Sequence, residues 1–314
     1  MKQKLNVDMR GISLKQLRAL AAVVRAGTVT AAAKALNVTP PAVTLHMRHL
    51  AETVGMPLVD RTDRGLRPTD AGRELLETIN RIESALEECS GALQALKGIA
   101  GGRVSVGVVS TAKYFAPRAL AAFAEAHSEV EMQLSIGNRS ETIASLSNYD
   151  LDFAVMGRPP EQFAVESEAI GDHPHIIIAP PDHRLGKRRN IAIGDLSAET
   201  FLLREEGSGT RLLMERLFAQ EGLIPKLGMQ IASNETIKQA VMAKLGIALI
   251  SAHTVAAELA DGRLVMLDVA GLPVMRQWFV VKRREKQLLP TAEALWNFLT
   301  SEGATHLPSV ATGK

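Results

Sequence analysis

Apolar positions recur at helical intervals through the first part of the chain. Leu14, Leu17, Leu20, Ala21 and Val24 share one face of a helix that Gly27 ends. The Ala-rich "TVTAAAKALN" predicts a second helix, with Thr28 or Thr30 as its N-cap. In "VTPPAVTLHMRHLAETVG", Val43, Met47, Leu50 and Val54 follow at spacings of 4, 3 and 4, a buried stripe on a third helix closed by Gly55. "MPLVDRTDRGLRPTDAG" then changes to β-type residues around "DRG", which predicts a wing-like hairpin.

A single long helix follows, capped by Thr69 with Asp70 and free of proline as far as Leu96. Leu75, Ile79, Ile82, Leu86, Cys89, Leu93 and Leu96 alternate at spacings of 4 and 3 along it. That 3.5-residue repeat is the seam of a coiled coil. A helix of this size is about 40 Å long and cannot bury its stripe in a small head, so its twin in a dimer is the expected partner. Packing on the remainder of the chain is the alternative. Cys89, the sole cysteine, falls on the seam as a small apolar residue, and no disulfide within the chain can form.

After a Gly-rich hinge, "KGIAGGR" (97–103), strand and helix patterns alternate. "VSVGVVS", "VEMQLSIG" and "LDFAVMG" are strands separated by "YFAPRALAAFAEAH" and "SETIASLSN", a βαβαβ rhythm that predicts a mostly parallel sheet. A second unit has strands "HIIIAP", "TFLLRE", "LGMQIAS" and "GIALIS", with helices over about 209–222, 234–245 and 253–259. "RQWFVVKRRE" and "LPTAEALWNFLTSE" close the chain as strand and helix, and the tail "HLPSVATGK" is expected to be disordered.

Charge divides the 314 residues more sharply than hydropathy does. Residues 1–73 carry twelve Lys and Arg against five Asp and Glu; the rest carry 24 against 29. A basic head on a mildly acidic body suits a head that meets a polyanion. No apolar run reaches the roughly 18–20 residues of a membrane span, and no signal-like segment opens the chain, so a cytoplasmic protein without membrane contact is expected.

Proline is tolerated in the first helical turn, where its missing N–H has no partner anyway. Thr39, Pro40 and Pro41 therefore fix where the third helix begins. Its other side presents Thr44, Leu45, His46, Arg48 and His49. Three short helices with a sharply started last one form the helix-turn-helix pattern, whose second helix lies in the major groove. Any one of these polar residues alone reads as a solvated face; the basic hairpin residues Arg61, Arg64 and Arg67 shift the balance. Arg48 and Arg61 are assigned to phosphate, Thr44, Leu45 and His46 to base edges, Arg64 and Arg67 to the minor groove. Thr28, Thr30 and Thr39 stand at helix starts suited to phosphate.

The marks "AAAKALNVTPPAVT", "HLAETVGMPLVDR" and "LRPTDAG" resemble the winged helix-turn-helix of LysR-type transcriptional regulators, and the long helix and α/β body extend that resemblance over the whole chain. One departure is Pro40, where the family usually has Gln. The resemblance implies an α/β protein of three parts: a winged helix-turn-helix head (1–69), a linker and dimerisation helix (70–97), and an effector-binding domain (98–310). The last resembles a type 2 periplasmic-binding-protein fold, with subdomain I at about 101–171 and 275–306 and subdomain II at about 172–274. It also implies a bacterial homodimer or homotetramer on double-stranded promoter DNA, a small-molecule co-inducer, and RNA polymerase as a further candidate partner.

Ligands of open α/β sheets sit beyond strand carboxyl ends, where helix starts converge. Four such junctions are rich in small polar residues: Ser110-Thr111; Asn138-Arg139-Ser140; Gly207, Ser208, Gly209, Thr210 and Arg211 in "EEGSGTR"; and Ser233-Asn234-Glu235-Thr236. Each alone reads as a turn or a cap. Four together, with Arg139 and Arg211 beside them, suit an anionic effector. Arg158 in "GRPP" ends a strand near the same cleft. "GNRSETIASL", "LDFAVMGRPP", "IGDHPHIIIAPPDHRL" and "EGSGTRLLMERLF" are similar to CbbR-type regulators of Calvin-cycle (Rubisco) operons, which implies activation by a phosphorylated sugar, phosphoenolpyruvate or an NADPH-like nucleotide, and no cofactor. Regulation of a sulfur or nitrogen operon is the alternative within the family. A ligand-binding protein or an enzyme on the same body fold is the alternative outside it. "DHPH" and "PPDH" are read as loops rather than metal ligands, and no nucleophile elbow, phosphate loop or dinucleotide fingerprint is present.

Overall fold

The computed structural model describes residues 9–63, 65–96 and 101–310, without the side chains of 92 and 94–96. The described chain forms two units, divided at Ser90 and Gly91. Arg64, the hinge residues 97–100 and the side chain of Leu96 lie outside the described residues.

The first unit begins with α1 (Leu14–Ala26), started by a reciprocal capping box between Ser13 and Gln16 and ended by Gly27 at φ 71°. α2 (Val29–Ala35) is capped by Thr28, whose hydroxyl accepts the Ala31 N–H at 3.2 Å; Thr30 lies one step inside the helix and caps nothing. α3 (Pro40–Val54) starts at its two prolines and ends at Gly55. Small residues let the three helices close: Ala19, Val23, Ala32, Ala33 and Val43 form one cluster. The hairpin β1 (Val59–Thr62) and β2 (Gly65–Pro68) docks on the α1–α2 turn, where the Leu66 N–H donates to the Gly27 carbonyl at 2.9 Å. A Cβ on Gly65 would lie 2.8 Å from that carbonyl oxygen, so glycine is required there.

α4 (Asp70–Leu96) is capped by Thr69, whose hydroxyl accepts the Gly72 N–H at 3.1 Å. Its apolar stripe does not act as one seam. Leu75 and Ile79 are buried against Leu17, Leu20, Leu50, Val54 and Leu58 of the head, with Ile82 partly buried beside them. Periodicity shows that a face is buried without naming what buries it. Only beyond Ile82 is the stripe open, with Leu86 46% and Leu93 54% exposed and Cys89 exposed as well.

In the second unit, β3 (Gly102–Val109), α5 (Ala116–Ala126), β4 (Val130–Gly137), α6 (Arg139–Ser147) and β5 (Phe153–Met156) follow the expected βαβαβ order. The strands lie parallel in the order β4-β3-β5. β6 runs from Val165 to Ala179, far longer than "HIIIAP" alone; His173 and His175 are strand residues, not loop residues. β7 (Thr200–Arg204), α7 (Gly209–Gln220), β8 (Lys226–Ile231), α8 (Asn234–Met242), β9 (Ala248–Ser251), α9 (Ala256–Ala260) and β10 (Val265–Met266) build a second lobe. β11 (Val274–Arg283) returns to the first lobe, and α10 (Pro290–Glu302) packs on it.

β6 and β11 form an antiparallel ladder of ten paired residues, from Val274 opposite His175 to Arg283 opposite Val165, with a slip between Trp278 and Phe279. This ladder joins the lobes. The first lobe's core includes Phe115, Phe153, Trp278 and Trp296; the second has a cluster on each face of its sheet. The tail is ordered further than its composition suggests. His306 ends a 3-10 turn, and Leu307 and Val310 pack on the cores; residues 311–314 lie outside the described residues.

Candidate functional site

In the head, Val43, Leu50 and Val54 are buried and Met47 is partly buried, as the stripe predicts. Pro41, Thr44, Leu45, Arg48 and His49 are exposed, and His46 is half-buried. These positions make one outward helical face. The Thr44 hydroxyl donates to the Pro40 carbonyl at 3.0 Å, leaving its lone pairs outward, and Arg48 stands 3.7 Å from Glu52 one turn on.

The first turn of α3, from Pro40 to Val43, has no spare backbone donors. Pro40 and Pro41 have no N–H, and those of Ala42 and Val43 both reach the Thr39 carbonyl, at 3.0 and 3.2 Å. Thr39 makes no side-chain cap bond. A backbone N–H clamp on phosphate is therefore unavailable here, unlike at an ordinary helix start. In the hairpin, Arg61 stands opposite Leu66 and Arg67 opposite Asp60. Directly paired residues share a sheet face, so Arg61 and Arg67 point to opposite sides. Arg61 and Arg67 therefore do not form one patch.

The other site is a cleft between the lobes, with about 420 Å3 of open space. It collects Ser110, Thr111, Asn138, Arg139, Arg158, Ser208, Gly209 and Thr210 from three of the four predicted junctions and the "GRPP" segment. It also collects residues that the sequence reading missed: Arg204, Arg276, His173, His175 and Gly157. Arg204, Arg276 and Gly157 sit at or near strand ends, whereas His173 and His175 lie within β6. Arg204 breaks the apolar run "FLLR", and Arg276 opens "RQWFVV", which are the only signals the sequence offers for them.

Charge in the cleft is unevenly compensated. Arg204 is buried and paired with both oxygens of Glu205 at 2.8 and 2.9 Å, and it also bonds Asn234 and the Ser110 hydroxyl. Arg158 is paired with Glu161. Among the described residues, Arg139 donates only to the main-chain carbonyls of Arg158 and Pro159 and to the Met156 sulfur. Arg276 has no hydrogen-bond or ion-pair partner among the described residues. Burial lowers the pKa of both, reinforced for Arg139 by Arg276 and Arg158 and opposed by Glu161, and reinforced for Arg276 by Arg158 and Arg216. Crowded, half-buried cations with few carboxylates among them are the chemistry that suits an anion. α7 begins beside them. Its N-cap Ser208 makes no side-chain cap bond, and Ser208 and Thr210 are buried.

Behind the arginines lies an aromatic floor. His173 stacks on Trp278 at 3.6 Å between centroids, and the Trp278 indole N–H donates to His253 Nδ1 at 3.1 Å. Burial depresses all three imidazoles, His173 well below its usual range, His175 to about 3 and His253 to about 4, so all are neutral near pH 7. Both ring nitrogens of His173 are buried without a partner in the described residues, an arrangement that costs about 1–3 kcal/mol when unrelieved.

The remaining predicted residues are placed elsewhere. Arg211 turns to Glu215 at 2.8 Å and Gln230 at 3.1 Å, because the third residue of α7 is rotated about 200° from Gly209. Ser233 caps α8 through the Thr236 N–H at 3.3 Å. Asn234, Glu235, Ser140 and Gly207 fasten the lobes together instead. Asn234 donates to the Ser110 carbonyl at 3.4 Å, Glu235 accepts from Tyr114, and the Ser140 N–H donates to the Gly207 carbonyl at 3.2 Å. Among the described residues no cluster of His, Cys, Asp and Glu could hold a metal, and no helix is long and apolar enough to cross a membrane.

Residues 14–73 match the family described as bacterial regulatory helix-turn-helix protein, lysR family, and residues 97–304 match the LysR substrate binding domain. The chain is 53% identical over 304 residues to the HTH-type transcriptional regulator CbbR of Xanthobacter flavus, covering 96% of this chain and 91% of that one. It is 43% identical over 293 residues to a RuBisCO operon transcriptional regulator of Allochromatium vinosum, covering 93% and 97%. Among solved structures, the regulatory domain of Synechocystis CcmR in complex with 2-phosphoglycolate aligns with a TM-score of 0.62 at 34% identity, over 64% of this chain and 96% of that chain.

Proposed function

The chain belongs to the LysR family of DNA-binding transcriptional regulators, and from that premise we propose that it controls a carbon-fixation (Rubisco) operon in response to a small phosphorylated anion held between its lobes. The observation that carries the effector half is the pair Arg139 and Arg276, half-buried guanidiniums with no carboxylate hydrogen-bonded to them among the described residues, beside the start of α7, whose N-cap Ser208 makes no side-chain cap bond. The names of the relatives support the operon half, and the 2-phosphoglycolate bound by CcmR supports the ligand class.

In this reading α3 enters a major groove. Thr44, Leu45 and His46 meet base edges, Arg48 a phosphate, and the hairpin arginines flank them. Thr28, Thr30 and Thr39 line the approach to the backbone. Two heads pair through the open half of the α4 stripe, Leu86, Cys89 and Leu93. Exposed Ile136 on β4 and exposed Leu227 and Met229 on β8 offer apolar surface for tetramer contacts, and activation proceeds through RNA polymerase. The ligand acts by binding two arrangements of the lobes with different affinity.

Footprinting of the full-length protein on DNA upstream of a carbon-fixation operon tests this. The expected result is protection that changes in extent when a sugar phosphate, phosphoenolpyruvate or NADPH is added. Protection confined to DNA upstream of a sulfur or nitrogen operon would assign the regulator elsewhere.

A further inference from the structure

We infer that His173 determines the specificity of the cleft, reading a hydroxyl group that the ligand carries beside its anionic group. This inference rests on the anion-binding reading above and narrows it. His173 is 3% exposed, lines the cleft, and has two ring nitrogens without partners among the described residues. The other two imidazoles of the cluster are committed. His175 Nδ1 lies 3.2 Å from the His173 carbonyl, and His253 Nδ1 accepts the hydrogen bond of the Trp278 indole N–H at 3.1 Å. Only His173 has both of its nitrogens without a partner.

Its position is held from several sides. The ladder sets His173 directly opposite Arg276, on the same sheet face. Trp278 supports the ring at an interplanar angle of 15°. Gly157 covers Nδ1 so closely that a Cβ there would approach to 2.9 Å. A fixed ring next to a free guanidinium meets whatever atoms adjoin the anionic group.

The donor count then selects the ligand. A neutral imidazole has one N–H donor and one acceptor nitrogen. With Nδ1 covered by Gly157, the nitrogen left to meet the ligand is Nε2, and in the tautomer that makes it the acceptor, carboxylate and fully ionised phosphate oxygens, which only accept, leave it bare. A hydroxyl can donate to that nitrogen or accept from the N–H, and so adds what the anionic group lacks. The chemistry recognised is a polyol phosphate or a phosphorylated hydroxy acid, in preference to a phosphorylated acid without a hydroxyl such as phosphoenolpyruvate or the 2-phosphoglycolate of CcmR.

Calorimetric titration of the full-length protein with 3-phosphoglycerate and with its analogue lacking the hydroxyl, 3-phosphooxypropionate, tests this. The wild type is expected to favour the hydroxyl compound by at least about tenfold. His173→Phe, which keeps a ring on Trp278 and removes both nitrogens, is expected to bind the two alike. Equal binding by the wild type overturns the inference while leaving the anion site intact, and so does a preference that survives in His173→Phe. Failure of both compounds to bind the wild type overturns the anion-binding reading itself. If His173→Phe does not fold, 15N spectra of wild-type imidazoles decide. A shift of the His173 nitrogens with the hydroxyl compound alone supports the role; shifts with both or with neither overturn it.

Discussion

The head and the cleft are both cationic, and they use that charge in opposite ways. Arg48 and Arg61 are exposed, surrounded by water and salt, and each contributes a modest, screened attraction. Arg139 and Arg276 are largely desolvated and crowd one another, so each gains much from one well-placed anion. The head binds a polymer by many weak contacts, and its selectivity comes from where the side chains are aimed. In the proposed reading the cleft binds one small molecule by a few strong contacts, and its selectivity comes from which polar atoms are left unsatisfied.

The comparison can be broken at several points. The largest effect is expected for Leu86→Lys, in the open half of the α4 stripe. Sedimentation should show monomers, and affinity for a two-half-site operator should fall by about two to four orders of magnitude as the linked second contact is lost. A dimer that persists would move the interface off α4.

Next in size is Arg276→Ala. Ligand affinity should fall about 10- to 100-fold, with the melting temperature of the ligand-free protein unchanged or raised, because a desolvated cation without a partner is removed. A lower melting temperature would mean that Arg276 supports the fold instead. The neutral imidazoles predict a pH effect of known sign. The unfolded chain takes up protons near pH 6.5, and the folded one not until about 4 for His253 and about 3 for His175. Stability is therefore full above pH 6.5 and declines as pH falls through that window, by up to about 1.4 kcal/mol per pH unit for each histidine. Urea melts at pH 7, 6 and 5 measure it; a flat profile would show the histidines to be accessible.

Arg48→Ala should weaken binding to all sequences alike and lower the salt slope by about 1. An unchanged slope would remove Arg48 from the phosphate contacts. Smallest of all is Arg211→Ala. That side chain is turned to Glu215 and Gln230, so ligand affinity should stay within about twofold, and a larger loss in titration would return Arg211 to the cleft.

Local signals told the truth where one residue decides a local conformation. Pro40 and Pro41 mark the start of α3, Gly27 and Gly55 mark ends, and the small polar clusters after strands mark helix starts. Sequence could not separate starts that bind from starts that fasten. Ser208 and Asn234 look alike in composition, yet one opens into the cleft and the other bonds Arg204 and Ser110. His173 and Arg276 escaped notice because they share a site only through the pairing of strands about a hundred residues apart. The first half of β6, "VESEAIGDHP", was hidden by charge and a proline; it is an outward-facing strand whose partner, β11, supplies the apolar residues. The α4 repeat was read as a single seam because a heptad is blind to the change of partner at Ile82.

The two-stranded ribbon that joins the lobes has a mechanical meaning. A jaw that closes on its cargo usually touches it with its lips, and the pivot merely bends. Here Arg276, His173 and the supporting Trp278 belong to the ribbon itself, next to the slip in its ladder. Cargo in this cleft leans on the axle. Its presence can be felt as torque, a change in how much the ribbon winds, even when the gap between the lobes barely alters.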